Sequence, residues 1–231
     1  MIGHAEASRG PAVKICGLMQ PQHALVAAEH GAAMLGMVFA PSRRRISIDT
    51  ARAIVAALHG QPNRPRFVGV FVNESTARML DIAEQVGLNM LQLSGDETPE
   101  QVGECSAYYP TIKAVRFPAS MSIQQAMSEL DPYIRLGRGD QVRLLLDTYR
   151  PGEYGGTGEI ADWSLAASMA ERLPLILAGG LNPGNVGAAI EQVAPWAVDV
   201  SSGVETGGVK DSALIADFLD AARASHACRV S

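Results

Sequence analysis

The residues of this sequence that could move a proton or hold an anion sit at the ends of short apolar runs. "VKICG", residues 13–17, carries Lys14 and Cys16; "LNMLQL" carries Gln92; "RLLLD" ends on Asp147; and "WAVDVS" carries Asp199 and Ser201. In an extended strand successive side chains point to opposite faces. Val13 and Ile15 therefore share one face and Lys14 and Cys16 the other; Leu144 and Leu146 oppose Leu145 and Asp147; Val198 and Val200 oppose Asp199 and Ser201. A cation beside a thiol favours the thiolate, so Lys14 would make Cys16 a base. Each residue also has a structural reading. Cys16 could pack as a small hydrophobe, Lys14 could satisfy an interior carboxylate such as Asp199, and Asp147 could cap the turn after its strand.

Glycine-rich stretches follow two of these runs. "LAGGLNPGNV", with Gly179 and Gly180, and "VSSGVET", with Ser201, Ser202 and Gly203, expose backbone N–H groups that can cradle a phosphate. Tight turns that need glycine for positive φ are the alternative. The long connection "DTYRPGEYGGTGEIADW" has the length and glycine content of an active-site loop, and Gly155, Gly156 and Gly158 could add a donor to the same phosphate. "APSRRRIS" places Arg43, Arg44 and Arg45 in a row, where a single guanidinium could clamp a carboxylate and the others would be solvated surface.

These residues need a scaffold that brings strand ends together. Strand candidates begin near residues 13, 33, 66, 88, 111, 143, 173 and 196, and stretches of helical periodicity lie between them. Asp211 can cap a helix whose Ile215, Phe218, Leu219 and Ala222 recur at helical spacing, and Gly31 and Gly87 fall where helices would end. Eight βα units in 231 residues imply a single (β/α)8 barrel over residues 13–225, with loose tails at 1–12 and 226–231. A doubly wound open sheet is the competing layout. In a barrel the polar set converges on one mouth, and the loops after strands seven and eight are the usual phosphate site.

Composition narrows the partners. The chain is 47% hydrophobic with mean hydropathy +0.08 and net charge -5, and its basic residues form no long block. Neither nucleic acid nor a membrane surface is an expected partner. "MIGHAEASRGPA" lacks the apolar segment of a signal peptide. Cys16, Cys105 and Cys228 form no CxxC pair, and His4, His23, His30, His59 and His226 have no metal-ligand spacing on one face. The expectation is a cytoplasmic protein without a metal; monomer and homodimer are both left open.

In order along residues 13–211 the chain shows "KICGL", "LGMVF…PSRR", "VGVFVN", "LQLSGDE", "IKAV", "LLLD…GGTG…DW", "LAGGLNPGNV" and "VDVSSGVET…KD". Together these resemble the phosphoribosylanthranilate isomerase family of the tryptophan pathway. The resemblance implies a (β/α)8 barrel that performs an Amadori rearrangement of a phosphosugar substrate, N-(5'-phosphoribosyl)anthranilate, without metal or organic cofactor. It makes Cys16 the general base and Asp147 the general acid, and it assigns the anthranilate carboxylate to Arg44. Lys14, Gln92, Gly156, Gly179, Gly180, Asp199, Ser201, Ser202 and Gly203 complete the expected substrate site. The chemistry needs a raised pKa at Asp147 and a lowered one at Cys16. The chain departs from the family pattern in having Ser94 for histidine, Ala161 for phenylalanine and Arg43 for proline. Arg43 is therefore a rival to Arg44. Another phosphosugar barrel enzyme, or a barrel that binds a phosphate ligand without catalysis, is the alternative.

Overall fold

The computed structural model describes residues 10–62, 64–118, 120–136, 141–147 and 163–230, with side chains to residue 225. Strands β1 (Ala12–Cys16), β2 (Met34–Val38), β3 (Arg66–Phe71), β4 (Met90–Leu93), β5 (Thr111–Val115), β6 (Val142–Asp147), β7 (Leu175–Ala178) and β8 (Ala197–Val200) are all parallel. They close in chain order into a barrel. Helices α1 (Pro21–Glu29), α2 (Ile48–Ala57), α3 (Thr76–Val86), α4 (Pro99–Ser106), α5 (Ile123–Leu136), α6 (Ser164–Ala170), α7 (Val186–Val193) and α8 (Ser212–Val230) follow the strands in turn. A two-stranded hairpin of β9 (Glu205–Thr206) and β10 (Val209–Lys210) lies between β8 and α8.

Alternation along the strands sorts the core into two parts. Val13, Ile15, Leu144, Leu146, Val198 and Val200 pack outward among helix residues such as Ile54, Met79, Ile190 and Phe218. Met34, Val68, Met90, Ile112, Leu145, Ile176, Ala178 and Ala197 fill the barrel itself. Lys14 lies in register with Asp199 across the β1–β8 seam that closes the barrel. Helix ends follow local chemistry: the Asp211 carboxylate accepts from Ala213 N at 2.9 Å and Leu214 N at 3.3 Å, and Gly87 ends α3 in the left-handed region at φ 78°. The expected α8 positions Ile215, Phe218, Leu219 and Ala222 are all buried.

Two boundaries differ from expectation. Strand β1 begins at Ala12, and α8 continues to Val230 where a tail from residue 226 was expected. No glycine or proline follows Ala222 to stop the helix. Residues 1–9 of the expected N-terminal tail, and residues 148–162 with Gly155, Gly156, Gly158 and Ala161, lie outside the described residues.

One buried ion pair braces the loops after β3 and β4. Lys113 Nζ donates to Glu97 Oε2 at 2.8 Å and to the Gly95 carbonyl at 2.6 Å, while Glu97 accepts from the backbone N–H of Asn73 at 2.9 Å. Burial alone would raise the Glu97 pKa, but Lys113 and the backbone donors outweigh it and hold the carboxyl below its ordinary range. Glu97→Gln leaves Lys113 buried without its counter-charge and is expected to cost about 3 kcal/mol, a melting shift of roughly 6–12 °C. Because the folded value is the depressed one, the pair contributes fully above the ordinary glutamate range and loses its contribution as pH falls through the folded value. The melting difference between the two proteins should therefore shrink below about pH 4.

Candidate active site

The inward set expected from alternation is assembled at the C-terminal mouth of the barrel. Lys14 is fully buried and donates to Asp199 Oδ1 at 2.9 Å. Cys16, one step further along β1, is buried beside it. Gly36 on the neighbouring strand makes the room: a Cβ there would stand 2.8 Å from the Cys16 sulfur and 3.1 Å from Lys14 Nζ. Asp147 ends β6, and Arg116, just past β5, donates to its Oδ2 from Nε at 2.9 Å and Nη2 at 2.8 Å. Gln92 donates to Ser94 Oγ at 3.1 Å, and its buried Oε1 has no partner among the described residues.

The electrostatics at Cys16 differ from expectation. Burial pushes the thiol up, Lys14 pulls it down, and Asp199 pushes it up again, so that the net shift is upward. The Lys14 ammonium is paired with Asp199, and burial of the thiol outweighs its pull. Lys14 itself is raised: burial would depress it, but Asp199 and Cys16 more than compensate. Cys16 is thus a protonated thiol in the free protein near neutral pH.

The two glycine-rich turns lie against each other. Gly179 and Gly180 have φ of 96° and 67°, and a Cβ on Gly203 would meet the Leu181 carbonyl oxygen at 1.8 Å. Asn185 fastens the first turn, donating to the Gly180 carbonyl at 3.0 Å and accepting from Asn182 N at 2.8 Å. Ser202 and Gly203 lie in a 3-10 turn directly after Ser201, whose hydroxyl donates to the Cys16 carbonyl at 3.2 Å. Glycine is needed here for local geometry; Ser201 ties the second turn to the end of β1, and Gly203 packs the first turn against the second.

The expected Arg44 and its rival Arg43 meet two residues outside the expected set, Glu205 and Lys210. Arg44 donates to Glu205 at 2.6 Å through Nε and at 3.0 Å through Nη2, Arg43 reaches the same carboxylate at 2.8 Å, and Lys210 reaches it at 2.8 Å. The side chain of Arg43 is 59% exposed and that of Arg44 is 20% exposed. Glu205 and Lys210 escaped the strand-alternation argument because they belong to the hairpin after β8. Their signal was the Gly207–Gly208 pair, a two-residue turn that sets flanking residues opposite each other. Arg116 had a plainer signal, since it continues the inward parity of Ile112 and Ala114. A cavity of about 680 Å3 lined by Asn73, Ser94, Lys113, Arg116 and Tyr133 opens beside the mouth and shares Arg116 with it.

A closed parallel barrel whose thiol, carboxylates and glycine turns gather at the strand C-termini belongs to the class of (β/α)8-barrel enzymes. The family model described as N-(5'phosphoribosyl)anthranilate (PRA) isomerase matches residues 13–221. An N-(5'-phosphoribosyl)anthranilate isomerase from Roseiflexus sp. (strain RS-1) is 48% identical over 92% of this chain and 98% of its own length. The crystal structure of phosphoribosyl anthranilate isomerase from Thermotoga maritima aligns with TM-score 0.79 and 40% identity over 93% of this chain and 99% of that one. A second isomerase structure, with TM-score 0.76 and 38% identity over 93% and 99% of the two chains, holds reduced 1-(o-carboxyphenylamino)-1-deoxyribulose 5-phosphate. The chain belongs to the N-(5'-phosphoribosyl)anthranilate isomerase family and is an intramolecular isomerase of tryptophan biosynthesis. No helix among its described residues is long and apolar enough to cross a membrane.

Proposed function

We propose that this chain converts N-(5'-phosphoribosyl)anthranilate into 1-(2-carboxyphenylamino)-1-deoxyribulose 5-phosphate in the cytoplasm, with Asp147 as the acid and Cys16 as the base. The reaction moves hydrogens within one molecule, so it balances without a redox partner. Asp147 gives a proton to the furanose oxygen; the bond from that oxygen to C1 breaks as the anthranilate nitrogen lone pair forms an iminium. Cys16, as thiolate, takes the proton from C2, and the electron pair closes a C1–C2 double bond that neutralises the nitrogen. The enolamine then tautomerises: the C2 hydroxyl loses its proton, C1 gains one, and the ketone results.

The single observation that carries these roles is the common mouth. Cys16 with Lys14 and Asp199, and Asp147 from β6, share the inner face of one ring of strand ends. A buried thiol of raised pKa is a poor base at rest. The iminium that forms on the substrate brings a positive charge toward it in a low-dielectric setting, which favours the thiolate when C2 must be deprotonated. The turns containing Gly179, Gly180, Ser202 and Gly203 are the phosphate cradle; Gly156, expected to add to it, lies outside the described residues. Gln92 Oε1, buried and without a partner among the described residues, is an acceptor for a substrate hydroxyl.

Arg44 is the carboxylate ligand in this reading because it is the better-anchored guanidinium. Arg44→Ala is expected to raise KM about 10- to 100-fold with kcat within about threefold. Arg43→Ala should change either by less than about threefold, since its guanidinium is mostly solvated. Steady-state kinetics on both variants decides between them. The activity itself is tested by following the fluorescence of freshly prepared phosphoribosylanthranilate with purified protein. No consumption above the buffer rate would overturn the assignment.

A further inference from the structure

We propose that Glu205 is a positioning residue for the substrate carboxylate, acting through Arg44. The proposal rests on the reading of Arg44 given above. The Glu205 side chain is 4% exposed and touches three cations: Arg44 twice, at 2.6 and 3.0 Å, Arg43 at 2.8 Å and Lys210 at 2.8 Å. A buried carboxylate needs a partner, but one would satisfy it. Three cations on one anion leave an excess of two positive charges within this cluster. That excess lies at the loop after β2, with Arg44 over Gly17 at the end of β1, where an incoming carboxylate would balance it.

The geometry of the Arg44 contact says how. Glu205 occupies the Nε–Nη2 edge of the guanidinium, which leaves the Nη1–Nη2 edge of the same rigid plane for a second carboxylate. The arginine stem passes over Gly17, the residue next to Cys16, and a Cβ there would stand 2.5 Å from Arg44 Cδ and 3.3 Å from Ser201 Oγ. Lys210 holds Glu205 from the other side and donates to the Ser201 carbonyl at 2.8 Å. Ser201 in turn donates to the Cys16 carbonyl at 3.2 Å. One connected set of bonds thus fixes the guanidinium plane relative to the strand that carries the base. Holding it there before substrate arrives removes the ordering cost from binding.

The test is calorimetric binding of two unreactive ligands. One is reduced 1-(o-carboxyphenylamino)-1-deoxyribulose 5-phosphate; the other is the same compound made from aniline, without the carboxylate. Glu205→Gln should weaken the first at least about tenfold and the second by less than about threefold. Arg44→Ala should show the same selectivity, and the double variant should bind neither ligand more weakly than Arg44→Ala does. In turnover, Glu205→Gln should raise KM and leave kcat within about threefold. Equal weakening of both ligands, or no weakening of either, would overturn the proposal. A selective loss in Arg44→Ala without one in Glu205→Gln would overturn it while leaving the role of Arg44 intact; no selective loss in Arg44→Ala would overturn both. Should Glu205→Gln fail to fold, Glu205→Asp keeps the charge, withdraws it by one methylene and reads the same selectivity.

Discussion

Replacing Cys16 with alanine is expected to lower kcat at least about a hundredfold while the barrel stays folded. The thiol ends β1 in a space made by Gly36, and its neighbours there are committed to each other, Lys14 as an ammonium that donates to Asp199. Serine should be no better than alanine, since a hydroxyl gives up its proton far less readily than a thiol. The pH dependence follows from the upward shift of the thiol, caused first by burial and then by Asp199, against the pull of Lys14. Only the thiolate can act and only a protonated Asp147 can donate, so kcat/KM should not climb steadily with pH, and the limb of its profile that reports the thiol should lie above the ordinary thiol range. Iodoacetamide labelling of Cys16, followed by mass spectrometry of its peptide, should show the same upward-shifted profile. A near-wild-type rate for Cys16→Ala would remove the thiol from the mechanism.

Strand polarity was legible in the sequence because it depends on a period of two. Val13, Ile15, Leu144 and Val198 had to face the helices, and that alone turned Lys14, Cys16, Asp147 and Asp199 into the barrel. The Lys14–Asp199 pair followed from the same rule plus the need to neutralise a buried lysine. What alternation cannot supply is the balance of charges at a site. Lys14 near Cys16 suggested a depressed thiol pKa, but the outcome depends on how close Asp199 comes and how completely the thiol is buried, and both are set by the closure of β8 onto β1. The rule also ends where the strands end. Glu205 and Lys210 face each other because Gly207 and Gly208, at φ 61° and 83°, make a two-residue turn, and reading that pair of glycines as a hairpin would have found them. The choice between Arg43 and Arg44 was beyond sequence spacing, because consecutive residues in a loop have no fixed facing.

Asp147→Ala and Asp147→Asn are each expected to lower kcat at least about a hundredfold. Asparagine keeps the shape of the side chain and can still accept from Arg116, so an equal loss in both variants would show that the transferable proton matters and the packing does not. In the free protein Arg116 sits on Asp147 Oδ2, at 2.8 Å from Nη2, with 65% of its own side chain in solvent. A pair whose guanidinium is mostly in solvent is worth on the order of 1 kcal/mol, so substrate can displace the arginine at little cost. Arg116→Ala should therefore change kcat/KM by no more than about fivefold in either direction. A loss in Arg116→Ala as large as that in Asp147→Ala would show that the arginine takes part in the reaction, and that the carboxylate is its anchor instead of the proton donor.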